Sequence, residues 1–150
     1  MKAIQSIMVL AALGCAAPVS AATTDPEVII YRVSGVIDIN SDLATSFHCT
    51  NFSGVPETLR IVVRQAAGGV VANAAVTVPH LNTAVMSTRD VAVLDDSTLA
   101  TGPLGGGTAA IAATSRNFTC TAMVIQTHVI NAVGIALHMT RFNPIPDTQE

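Results

Sequence analysis

The stretch Asn117 to Gln126, NFTCTAMVIQ, decides how this chain folds. It alternates as a half-buried strand does. Phe118, Cys120, Ala122 and Val124 fall on one face, and Thr119, Thr121, Met123 and Ile125 on the other. Its central cysteine has a counterpart, Cys49, in the similar setting SFHCTNFS. There Thr45, Phe47 and Cys49 face one way, while Ser46 and His48 face the other, toward solvent. Both cysteines therefore sit on the inward face of a strand. The expectation is a Cys49–Cys120 disulfide that staples one sheet to another through the core. The competing reading is a reactive or metal-binding thiol, but no acid–base partner stands at a telling spacing from either cysteine.

Composition agrees with strands. A chain of 150 residues suits one domain with one core. Half of it is hydrophobic, yet only 3% is aromatic and tryptophan is absent. The apolar mass is Val, Ile, Leu and Ala interspersed with Thr, a mixture that favours strands. Charged residues make up 11%, under half of the usual quarter or so. The one lysine is Lys2, and six arginines stand against ten acids. Such a chain is expected to carry no basic patch, which argues against nucleic-acid binding.

The N-terminus reads as a secretory signal, residues 1–22. Lys2 supplies the positive end, Ile4 to Gly14 an apolar run too short to span a bilayer, and Pro18 a break. Val19-Ser20-Ala21-Ala22 then offers cleavage after Ala21 or Ala22. A lipoprotein signal ending at Cys15 is the rival, but Ala12-Leu13-Gly14 places the leucine and the small residue in the wrong order. The mature domain is then 23–150, secreted or periplasmic, with no membrane attachment after cleavage.

Along that domain, strands are expected at Val28 to Ile37, with a bulge or close approach at Gly35, and at Ala44 to Thr50. Thr58 to Gln65 and Val70 to Val78 form a hairpin around Ala66-Ala67-Gly68-Gly69, stopped by Pro79. Further strands are expected at Asn82 to Arg89, Thr108 to Thr114, Asn117 to Gln126 and Ala132 to Thr140. In the last, Ile135, Leu137 and Met139 would point inward. Gly105 to Gly107 reads as a flexible connector, and Asp38 to Asp42 as a polar loop. About eight short strands with glycine turns and no helical period predict an all-β fold, an Ig-like or related Greek-key β-sandwich stapled by one disulfide.

Candidate chemistry is sparse. Asp38, Asn40 and Asp42 alternate as calcium loops begin, but Leu43 and Cys49 stand where an EF-hand needs Gly and Glu. They remain candidate metal residues beside the plainer reading of an Asx-rich turn. His48, His80, His128 and His138, with Met123 and Met139, raise copper, but Cys120 and His128 lack blue-copper spacing. Asp95 and Asp96 are adjacent, so in a strand they would point apart, which does not suit paired-carboxylate hydrolysis. There is no GxSxG elbow and no phosphate loop. NFS and NFT match the glycosylation pattern at Asn51 and Asn117.

The fragments FHCTNFSGVPETLRIVVR (47–64), GGGTAAIAATS (105–115), CTAMVI (120–125) and GIALHMTRFNPIP (134–146) cover much of the mature chain. They resemble a recurrent group of small secreted bacterial proteins. In that group a CTN motif precedes an alternating strand, and a G-[ST]-A-x-I-x-[AS]-T-S run precedes a CTA motif. The resemblance implies a compact exported sandwich without assigned activity, and Cys49 and Cys120 fall on its two cysteine motifs. The expected function is non-enzymatic contact, structural or adhesive, with no cofactor. The partner would be a second copy or another surface protein, met at exposed strand edges that lack lysine. The alternative is a secreted ligand- or metal-binding module for calcium or copper.

Overall fold

A computed structural model describes residues 27–40 and 42–142. The expected signal, 1–22, and residues 143–150 lie outside the described residues. Ten strands occur among them: β1 (Val28–Ile39), β2 (Leu43–Asn51), β3 (Glu57–Gln65), β4 (Val70–Val78), β5 (Thr83–Ser87), β6 (Ser97–Thr98), β7 (Leu104–Ala113), β8 (Phe118–Gln126), β9 (Gly134–Ala136) and β10 (Met139–Arg141).

They form one hydrogen-bonded sheet with two wings. The first runs β4-β3-β7-β1-β10 and the second β9-β8-β2-β5-β6. The wings join where β1 turns into β2, with Asp38 opposite Ala44 and Ile39 opposite Leu43. All pairs are antiparallel except β5–β6, so the protein is all-β, a curled mixed sheet in the shape of a half-barrel. Inner faces of both wings close on one core. Phe47, Phe118, Leu59, Ile61, Ile111, Val36 and Val63 are fully buried there. Each such side chain contributes roughly 1.5–3 kcal/mol by leaving water. Tyr31 on β1 reaches across this core and donates its hydroxyl to the Phe118 carbonyl on β8, at 3.3 Å.

The curl has local causes. Gly35 has φ +76°, and the β1–β7 register shifts between Ser34 and Val36, so the bulge expected at this glycine is present. A bulge bends its strand and strengthens its twist. The 12-residue β1 can therefore pair with β7 and β10 along one part and with β2 at its end. Two buried threonines fix the corner. Thr45 Oγ1 accepts from the Ile37 N–H at 2.8 Å, and Thr88 Oγ1 donates to the Ile37 carbonyl at 2.9 Å. The Thr45 N–H in turn donates to Thr88 Oγ1 at 2.9 Å.

The disulfide is formed, but not as an inter-sheet staple. Cys49 and Cys120 lie directly opposite each other on the adjacent antiparallel strands β2 and β8, with Cα atoms 4.1 Å apart. The same nine-position register sets Phe47 against Ala122 and Asn51 against Phe118. The inward placement of both cysteines was legible. It could not tell a partner across the core from a partner on the next strand, because both point inward.

Several other expectations fail because the outer face of the second wing is covered. Val91 packs there on Ala44 and Ile125, with Leu94, Met123 and Ala132 around them. Ile125, expected outward, is accordingly buried, while Val124 is only half-buried. Ser46, expected in solvent, is fully buried, and His48 is half-buried. The glycine connector is also corrected: Gly105 to Gly107 lies inside β7. A Cβ on Gly107 would collide with the Arg64 backbone carbonyl of β3, so glycine here permits close strand approach. The expected last strand divides into β9 and β10, because the chain crosses from the second wing to the first between them. Ile135 on the edge strand β9 is 69% exposed, whereas Leu137 and Met139 pack against the core.

Candidate functional site

Asp38 is the penultimate residue of β1, at the corner between the wings, and is 2% exposed. Arg89, just past β5, donates Nε–H to Asp38 Oδ1 at 2.7 Å. The Thr101 hydroxyl approaches Asp38 Oδ2 at 3.3 Å. The carboxylate proposed from sequence as a calcium ligand thus faces a guanidinium. Asn40 stands in the turn at φ +51°, and Asp42 is exposed. A cation at Asp38 would have to compete with the fixed positive charge of Arg89, so this arrangement works as a structural clamp on the corner. Among the described residues no group of three or more His, Cys, Asp or Glu side chains could hold a metal ion.

A second polar group was missed by sequence reasoning. Beneath the 88–101 segment, Ser87 Oγ–H donates to Ser46 Oγ at 2.9 Å, and Ser46 Oγ lies 3.1 Å from His48 Nε2. Strand register causes this. Ser46 is opposite Ser87 on β5, and His48 follows Ser46 by two positions on the same face of β2. Both Asp96 carboxylate oxygens are buried nearby without a hydrogen-bond partner among the described residues. A serine, a histidine and an acid thus gather here. The Ser46 side chain is sealed under packed chain, however, so no substrate carbon can reach its oxygen. With Ser46 accepting from Ser87, its own hydrogen is free for His48 Nε2, which suits a neutral imidazole.

Burial holds the His48 pKa below the ordinary 6.5, and the nearby Asp96 charge offsets part of that effect. As pH falls, the unfolded chain takes up this proton before the folded chain does. The stability contributed by neutral His48 is therefore complete above about pH 6.5 and declines as pH falls toward its lowered folded value. The expected result is a shallower loss of stability on acidification in His48→Gln than in the native chain. Urea-unfolding midpoints at about pH 7.5 and about pH 5.5 measure it. Equal losses in both proteins would assign the acid sensitivity elsewhere.

The remaining sequence candidates separate. His80, His128 and His138 are all exposed, and they sit in the β4–β5 connection, after β8 and before β10 respectively. Gly54 donates its N–H to His80 Nδ1 at 3.0 Å, which ties that ring to the β2–β3 turn. Asn51 of the NFS motif is fully buried, and its amide donates to the Val55 and Val78 carbonyls at 2.7 and 2.8 Å. It is a turn anchor with no surface for a glycan, whereas Asn117 of NFT is exposed.

The sheet also presents an edge. Among the described residues β4 pairs with β3 on one side only and ends the strand order. Its nine residues, VVANAAVTV, carry neither charge nor proline. Asn51 takes up the Val78 carbonyl at its far end, and exposure alternates from Asn73 to Thr77. The hairpin was legible in sequence, but its position at the rim of the sheet was not. No family model, curated protein or solved structure matches this chain.

Proposed function

We propose that this chain is an exported, non-enzymatic β-domain that acts by contact, and that its contact element is the free edge of β4. One observation carries this: a nine-residue edge strand with no lysine, no other charge and no proline. Edges normally carry such devices to prevent pairing with another chain. Export follows from the leader expected at 1–22 and cleaved near Ala22, and the Cys49–Cys120 bond suits an oxidising compartment, the periplasm or the exterior. On this proposal the curled sheet is a variant of the Greek-key sandwich, its two wings acting as the two layers. That reading agrees with the resemblance to small secreted bacterial sandwich proteins.

The occupant of the edge is a second copy of this chain. Two β4 strands meeting antiparallel about a twofold axis form a closed, isologous contact, so a dimer is the expected product. Light scattering and native mass spectrometry on chain 23–150 should show mass rising to a dimer with concentration. Ala75 and Thr77 are exposed on β4. Ala75→Lys with Thr77→Lys would bring like charges together across the axis and restore the monomer. A native chain that stays monomeric at high concentration removes self-pairing. Association that persists in the lysine variant moves the contact away from β4.

A further inference from the structure

The geometry points to an oxyanion-binding site on the outer face of the first wing, built around Arg32 for a phosphate or sulfate group. Sequence reasoning expected no basic patch, because the charge balance is acidic and the arginines are scattered along the chain. Strand register gathers three of them. Arg64 on β3 is opposite Thr108 on β7, which is opposite Ser34 on β1. One row along, Val62 is opposite Ala110, Ala110 is opposite Arg32, and Arg32 is opposite Thr140 on β10. Arg60 stands further along β3 on the same face.

These arginines are not equivalent. Arg60 is held by Glu27, with Nε to Oε2 at 2.6 Å and Nη2 to Oε1 at 3.1 Å. Arg64 gives one donor to the Gly68 carbonyl at 3.0 Å. Arg32 stacks over the Phe142 ring at 5.2 Å from its centroid, and makes no hydrogen bond or ion pair among the described residues. Its guanidinium is oriented by the ring while its N–H donors stay open. A recess of about 200 Å³ lies beside it, lined by Arg32, Ser34, Thr108, His138 and Thr140 among others. No acid lines it.

The chemistry selects the ligand. A planar guanidinium matches two oxygens of a tetrahedral anion, and three hydroxyls and an imidazole surround it with further donors. The recess is smaller than the roughly 300–1,000 Å³ typical of drug-sized ligands, so a single anionic group fits. That group could be a free ion or one carried on a polymer lying along the Ser34–Thr108–Arg64 row. This inference does not rest on β4 pairing, and a strictly monomeric protein would leave it intact.

The test is an amide NMR titration of the folded chain at constant ionic strength, with sodium sulfate, sodium phosphate, dextran sulfate and neutral dextran. Saturating shifts are expected at Ser34, Thr108, His138 and Thr140. Arg32→Gln should weaken binding at least about tenfold, the scale of one charge-assisted hydrogen bond. Arg116→Gln, at an exposed position in the β7–β8 turn, should leave binding unchanged. If the group is polymer-borne, Arg64→Gln also weakens dextran sulfate binding; if it is a free ion, Arg64→Gln has little effect. Shifts that never saturate, or saturating shifts indifferent to Arg32→Gln, would overturn the site.

Discussion

Breaking the Cys49–Cys120 bond is expected to lower the melting temperature by about 15 °C without changing the fold. The bond joins residues 71 positions apart, so it removes a large share of the unfolded chain's freedom. In the chain-entropy treatment a loop of that length corresponds to about 4 kcal/mol. For a domain of this size each kcal/mol moves the midpoint by about 4 °C. The native state changes little, because β2 and β8 are paired along nine positions whether or not their sulfurs are joined. Thermal melts followed by circular dichroism, with and without reductant, measure the shift. The Cys49→Ala, Cys120→Ala double variant should reproduce the reduced curve and keep the β spectrum. A shift under about 4 °C would place the benefit below 1 kcal/mol and make strand pairing, not the bond, the main restraint.

Arg89→Met should cost about 3 kcal/mol of stability. Asp38 is 2% exposed, and Arg89 is its one cationic partner among the described residues. Removing the guanidinium leaves a carboxylate buried at the corner with only the Thr101 hydroxyl at 3.3 Å. An uncompensated buried charge is more costly than the absence of the whole pair. Adding Asp38→Asn to Arg89→Met should therefore recover part of the loss, and urea unfolding of the native chain, the two single variants and the double variant forms the comparison. Additive losses would mean that the two side chains act independently. Calcium is a separate comparison: an Asp38 committed to the metal would make the native chain lose stability when a chelator is added, whereas the Arg89 pair predicts no change.

Local pattern was readable wherever one face of a strand meets the core and the other meets water. Leu59, Ile61 and Val63 in β3 alternate cleanly, and all three are buried. The hairpin turn after Gln65 and the bulge at Gly35 were legible because each needs a particular backbone. Reading failed where a second layer covers the outer face. Ser46, His48 and Ile125 have the spacing of solvent-facing residues, yet Ile125 packs with Val91 and Leu94 from elsewhere in the chain, and Ser46 is buried beside Ser87. The serine–histidine–aspartate group was invisible for the same reason. The basic face was hidden because it depends on which strands are neighbours, and net charge carries no such information.

From the sequence alone followed the all-β class, the inward placement of Cys49 and Cys120, and the β3–β4 hairpin. Each depends on alternation or turn chemistry within a few neighbouring residues. Tertiary structure alone decided that the sulfurs bridge adjacent strands, that β4 lies at the rim, and that Arg32 opens onto a recess lined by Ser34, Thr108 and Thr140. Those facts depend on strand order and register between segments tens of residues apart. A period of two states which side of its own strand a residue occupies; which strand lies alongside is set by the packing of the whole core.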